Sequence, residues 1–96
     1  MSSWHTSEMN ELFEAILTLR DVDECYAFFE DVCTVKEIIE ISQRLKVAKM
    51  LSAGVNYSTI CKETGASTAT ISRVSKCLEN GSGYKMVLGR VDGEAE

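Results

Sequence analysis

Apolar residues recur at spacings of three and four along nearly the whole chain, the period of amphipathic helices. Leu12, Phe13, Ile16 and Leu17 form one stripe and predict a first helix over about residues 7–19. Asp21 is a good N-cap for a second helix that carries Cys25, Phe28, Phe29 and Val32. Thr34 and Glu37 have the spacing of a capping box, in which each side chain satisfies a free backbone N–H at the other residue. They start a long third helix through Ile38, Ile41, Leu45, Val47, Ala48 and Leu51, closed by Gly54. Two shorter helices follow, over about 57–64 and 67–80. Gly81-Ser82-Gly83 makes a flexible break. Tyr84, Met86, Val87, Leu88 and Val91 predict a last helix over about 84–91, ending at Gly89 or fraying after Arg90. The chain has no proline, so nothing interrupts a long helix. The pattern is all-α, with no internal repeat and no low-complexity segment.

The turn between the fourth and fifth helices is the most informative segment. Thr64-Gly65-Ala66 places a glycine where the first of the two helices must end with φ > 0. Ser67 or Thr68 then caps the next helix. Ile60, Ile71 and Val74 face inward and fix the angle between the two helices. Ser67, Thr68, Ala69, Thr70, Ser72 and Arg73 face outward. A short helix, a glycine turn and a second helix opening with small polar residues make the sequence shape of a DNA-binding helix-turn-helix. Short side chains let the backbone approach a groove. Hydroxyls reach phosphates or base edges, and alanine or a threonine methyl can touch a thymine methyl. Lys62 and Lys76 are the expected phosphate contacts beside them.

A net charge of −5 argues at first against nucleic acid, but the charge is unevenly spread. Residues 1–43 hold two basic and ten acidic groups, for −8. Residues 44–85 hold seven basic and two acidic, for +5, and residues 86–96 add −2. A local basic face governs phosphate contact more than the global sign does. Ninety-six residues make one small domain, 1–96. Within it, about 6–53 serve dimerisation, 57–80 form the helix-turn-helix and 84–91 the C-terminal helix. The aromatic stripe of Phe13, Tyr26, Phe28 and Phe29 calls for a partner, and a homodimer would bury it. Two-fold symmetry would also place two reading helices about one DNA turn apart. No apolar run approaches the roughly 20 residues of a membrane span. Met1 to Glu14 lacks the pattern of a signal peptide, so the expected place of action is the cytoplasm.

Cys25, Cys33, Cys61 and Cys77 include no C-x-x-C pair and sit among apolar neighbours, so they read as small buried hydrophobes rather than a zinc site. The lone histidine, His5, is near the end of the chain beside Trp4, which is expected either to pack on the dimer partner or to be disordered. No catalytic pair, triad or phosphate loop is present, which argues against an enzyme and against a cofactor. The competing class is a protein-interaction module that keeps the helix-turn-helix fold without specific DNA binding, a reading the acidic first half favours.

Leu51, Gly54, Ile60, Glu63, Gly65, Ala66, Ala69, Thr70, Ile71, Ser72 and Arg73 fit the pattern L-x-x-G-x-x-x-x-x-I/L-x-x-E-x-G-A-x-x-A-T-I-[ST]-R, and with it the chain resembles the Trp repressor superfamily. Asp23-Glu24-Cys25-Tyr26, Phe28-Phe29-Glu30-Asp31 and Gln43-Arg44-Leu45 are similar to the YerC/YecD group of Trp-repressor-like proteins. The resemblance spans about residues 8–90. It implies an intertwined all-helical homodimer, bacterial and cytoplasmic, that binds double-stranded DNA and regulates transcription, by family habit as a repressor. It also implies an effector pocket at Thr34, Arg44 and Arg73. Two neighbours depart from the tryptophan-binding pattern. Val74 stands where the Trp repressor has a glycine beside the indole, and Cys77 where it has a serine near the amino group. A branched side chain fills the ring's space, and a thiol is a poorer hydrogen-bond partner. Tryptophan is therefore not the expected effector, and the sequence names no other.

Overall fold

The computed structural model describes residues 4–93. Among them are six helices: α1 (Ser7–Ile16), α2 (Val22–Val32), α3 (Val35–Ser52), α4 (Tyr57–Thr64), α5 (Thr68–Asn80) and α6 (Gly83–Gly93). The chain divides into two compact units, Met1–Val35 and Lys36–Glu96.

In the N-terminal unit the helices are set by local hydrogen bonds. The Thr6 hydroxyl caps α1 by accepting the Met9 N–H at 3.2 Å. α1 stops at Ile16, short of the expected 7–19, because its end tightens. Thr18 and Leu19 donate to carbonyls three residues back, Ala15 and Ile16, at 3.1 and 3.0 Å. The Thr18 hydroxyl also donates to the Ala15 carbonyl at 2.6 Å, and such side-chain bonds compete with helix propagation. Asp21 caps α2 as expected, its carboxylate accepting the Glu24 N–H at 2.9 Å. The Glu24 carboxylate in turn accepts the N–H of Arg20, the residue before the cap, at 2.9 Å, so the same side chain also ties down the chain entering α2. Neither α1 nor α2 contains a buried residue. Phe28 and Phe29 are half-buried with their rings edge to face, 5.4 Å apart.

The C-terminal unit holds the buried core of the described residues. Val47 and Ala48 of α3, Ile60 of α4, Ala66 of the turn, Ile71 and Val74 of α5 and Leu88 of α6 make up one cluster. Met50, Leu51, Val55, Cys61, Leu78 and Tyr84 pack against it. The inward set foreseen from the sequence, Ile60, Ile71 and Val74, is thus at its centre. α3 closes at Gly54 with φ +83°, where the Val55 N–H reaches the Met50 carbonyl and the Gly54 N–H the Leu51 carbonyl, both at 3.0 Å. That is the paired bonding of a Schellman motif, and it satisfies carbonyls that the helix end leaves free. α6 differs from expectation. It does not end at Gly89 or at 91 but continues to Gly93. The helix penalty of a glycine is only about 1 kcal/mol, and Leu88, buried in the core, holds this turn in place.

The cysteines also differ from expectation. None is buried: Cys25 and Cys77 are exposed, Cys33 and Cys61 half-buried, and all four are free thiols. Cys25 is exposed because α2 buries nothing, and Cys77 because it opens onto a cleft described below.

The two kinds of glycine predict opposite responses to alanine. Gly65 has φ +76°, and a Cβ there would meet nothing closer than Gln43 Nε2 at 4.0 Å, so its cost is that of the backbone alone. Gly65→Ala is expected to lower unfolding stability by about 1–2 kcal/mol in urea titration. Gly89→Ala, in a helix with open space around the new Cβ, is expected to raise it by about 1 kcal/mol. Changes of the same sign would contradict this assignment of strain.

Candidate nucleic-acid interface and adjoining cleft

The α4–α5 segment is built by a chain of short-range bonds. Asn56 caps α4, its side-chain oxygen accepting the Thr59 N–H at 2.9 Å. Ile60, fully buried, ties α4 to the core. At the far end the Thr64 hydroxyl donates to the Ile60 carbonyl at 2.7 Å and accepts the Ala66 N–H at 3.1 Å. Gly65 adopts the left-handed conformation and donates its N–H to the Cys61 carbonyl at 2.9 Å. Ala66 is buried, so the turn is pinned inward there. Of the two expected caps, Ser67 is the one used, its hydroxyl accepting the Thr70 N–H at 3.1 Å.

α5 presents two faces. Ile71 and Val74 are in the core. Thr68, Ala69, Ser72, Arg73 and Lys76 are exposed, and Thr70 is half-buried. Thr68, Ser72 and Lys76 are four residues apart and form one line along the helix, with Ala69 and Arg73 on the adjacent line. Small side chains lead, and the cations stand further along. The structure therefore brings Ser67, Thr68, Ala69, Thr70, Ser72, Arg73 and Lys76 onto one helix and its cap, while Lys62 is exposed on α4. The hydroxyls of Ser67 and Thr70 lie 3.2 Å apart, Ser67 donating. They serve the cap, and Thr68 and Ser72 carry the outward hydroxyls.

Beside this face is a cleft of about 310 Å³ lined by Arg44, Thr70, Arg73, Val74, Cys77 and Tyr84. Four residues of the expected pocket meet there: Arg44, Arg73, Val74 and Cys77. Thr34 belongs to the N-terminal unit and directly precedes α3. Thr70 and Tyr84 are additions. Thr70 was legible as a groove residue, and only the turn of α5 shows that it faces the cleft as well. Tyr84 sits beyond the Gly81–Gly83 break, and nothing in the local sequence links it to α3 or α5. Two guanidiniums and no carboxylate line the cleft, so it is suited to an anionic group, with hydroxyls and a thiol at its wall. Val74 lines the cleft yet is only 2% exposed, because its isopropyl group is part of the core.

Comparison with known proteins agrees with this architecture. The family described as Trp repressor protein matches residues 7–92. The uncharacterized protein YerC of Bacillus subtilis (strain 168) is 55% identical over 85 residues, covering 88% of this chain and 82% of YerC. The crystal structure of a candidate Trp repressor from Staphylococcus aureus superposes with a TM-score of 0.88 at 54% identity, covering 92% of this chain and 89% of that one. A TrpR-like protein from Eubacterium eligens ATCC 27750 superposes with the same TM-score at 53% identity, covering 91% of each chain. With the helix order, the glycine turn and the capped fifth helix in place, the chain belongs to the Trp repressor family.

Proposed function

We propose that this chain is a sequence-specific DNA-binding transcriptional regulator that acts as a homodimer through α4 and α5, in the cytoplasm, by family habit as a repressor. Family membership supports the coarse reading of a DNA-binding regulator rather than an enzyme. The observation that carries the finer reading is the exposed line of Thr68, Ser72 and Lys76 with Ala69 and Arg73 beside it, on a helix whose other face is locked into the core. Such a face can enter a major groove with its cap and small side chains first and place cations at the flanking phosphates. Residues 1–96 act as a single functional domain in this reading.

Two features support a homodimer. α1 and α2 bury no residue, although they carry Leu12, Phe13, Tyr26 and Val32. The C-terminal unit also leaves open a largely apolar groove lined by Ile41, Leu45, Met86 and Val87, among others. Exposed apolar surface on this scale in a small domain marks an interface.

The cleft is read as an effector site for a molecule other than tryptophan. Val74 is held in place by the core and cannot swing aside for an indole ring, and Cys77 offers a thiol where an amino group would need a stronger acceptor.

Selection from a random duplex library, with and without L-tryptophan, tests the function. The expected outcome is equal enrichment in both arms of a two-fold symmetric site with half-sites about one turn apart. No enrichment in either arm would favour the interaction-module reading. On the enriched duplex, Thr68→Ala and Ser72→Ala are expected to weaken binding without unfolding the protein. Lys76→Ala should weaken binding to all sequences alike and lower the salt slope by about one unit. L-tryptophan at millimolar concentration is expected to leave the melting temperature unchanged, whereas a rise of several degrees would show that it binds.

A further inference from the structure

Gln43, on α3, takes no part in the capping, charge or pocket patterns above. Its side-chain amide donates to the Thr64 backbone carbonyl at 3.0 Å across 21 residues of sequence, in a partly buried setting. The other bonds of this segment, at Asn56, Thr64 and Ser67, stay within four residues along the chain. Thr64 is the last residue of α4, so its carbonyl is one that the helix end leaves without an intrahelical partner. The next residue, Gly65, turns the chain toward α5. Only Gly65 and Ala66 then separate the Gln43 anchor from the Ser67 cap.

Val47 is four residues beyond Gln43 on α3 and is fully buried in the core. The two side chains share a helix face, so the bond leaves α3 from the face that packs inward. The core fixes α5 sideways through Ile71 and Val74, but apolar packing is not directional. A hydrogen bond is directional, and this one is set on the residue that starts the turn.

We infer that Gln43 is a positioning residue for the reading helix: its amide fixes the Thr64–Gly65–Ala66 turn on α3 and so sets the angle at which α5 is presented. The consequence for DNA rests on the function proposed above; the grip on the turn does not.

The test uses the full chain with Gln43→Met and Gln43→Glu. Both keep the side chain's length. Methionine removes the donor, and glutamate sets a carboxylate acceptor against the Thr64 carbonyl. Amide hydrogen exchange at Gly65 and Ala66, whose N–H groups bond within the turn, reads the turn directly. Exchange there is expected to speed up about tenfold in Gln43→Met and more in Gln43→Glu, with the slowest core amides at Ile71 and Val74 unchanged. Affinity for the selected duplex is expected to fall about tenfold in Gln43→Met at a temperature where both proteins are folded. Turn exchange equal to that of the parent chain in both variants would overturn the inference, as would a uniform rise over the whole core, which marks a stability effect only. A parent chain that selects no duplex would overturn the DNA reading, and the exchange data would still decide what Gln43 holds.

Discussion

One small core, in the C-terminal unit, holds the candidate interface together. Val47 and Ala48 from α3 meet Ile60, Ala66, Ile71, Val74 and Leu88, and every element of the candidate interface is attached through one of these residues. α4 is anchored by Ile60, the turn by Ala66, α5 by Ile71 and Val74, and α6 by Leu88. Because close-packed side chains resist rearrangement, this cluster turns a flexible glycine turn into a helix pair of fixed angle. The outward face of α5 can be made of small residues that bury little because its inward face is fully used.

The N-terminal unit lives under the opposite condition. Its helices have good caps at Thr6 and Asp21, but no residue of α1 or α2 is buried. Leu17 is 81% and Tyr26 61% exposed. Isolated helices this short are marginal in water whatever their caps, since most helical stability comes from packing an apolar face. The proposal of a homodimer follows from this imbalance. In the proposed dimer the apolar stripe is what a partner copy would cover, and the +5 segment is what would meet the nucleic acid.

The legible parts of the sequence were those decided by neighbours. Gly65 announces a positive φ, Ser67 a cap, and the spacing of Ile60, Ile71 and Val74 an inward face; all hold within about a dozen residues. Asp21 is legible for the same reason. The end of α1 departs from the apolar periodicity because the Thr18 hydroxyl donates back to the Ala15 carbonyl, a choice between two local bonds that periodicity does not show. α6 runs past Gly89 because Leu88 is held by residues far away in sequence. The contacts of Tyr84 and Gln43 are not legible in the sequence because each is made with a distant helix. Gln43 reaches Thr64 over 21 positions, and no local signal marks that pair. The cysteines look buried by their neighbours' hydropathy, yet Cys25 is on a helix that buries nothing, Cys77 opens onto the cleft, and Cys61 packs only at the edge of the core.

We propose that a second copy covers what one chain leaves open. Sedimentation equilibrium over a wide range of protein concentration, with helicity followed on the same samples, tests it most directly. The expected result is a folded species of twice the 10.6 kDa chain mass, whose dissociation on dilution is accompanied by loss of helicity. A stable, fully helical 10.6 kDa species that stays monomeric at high concentration would contradict it.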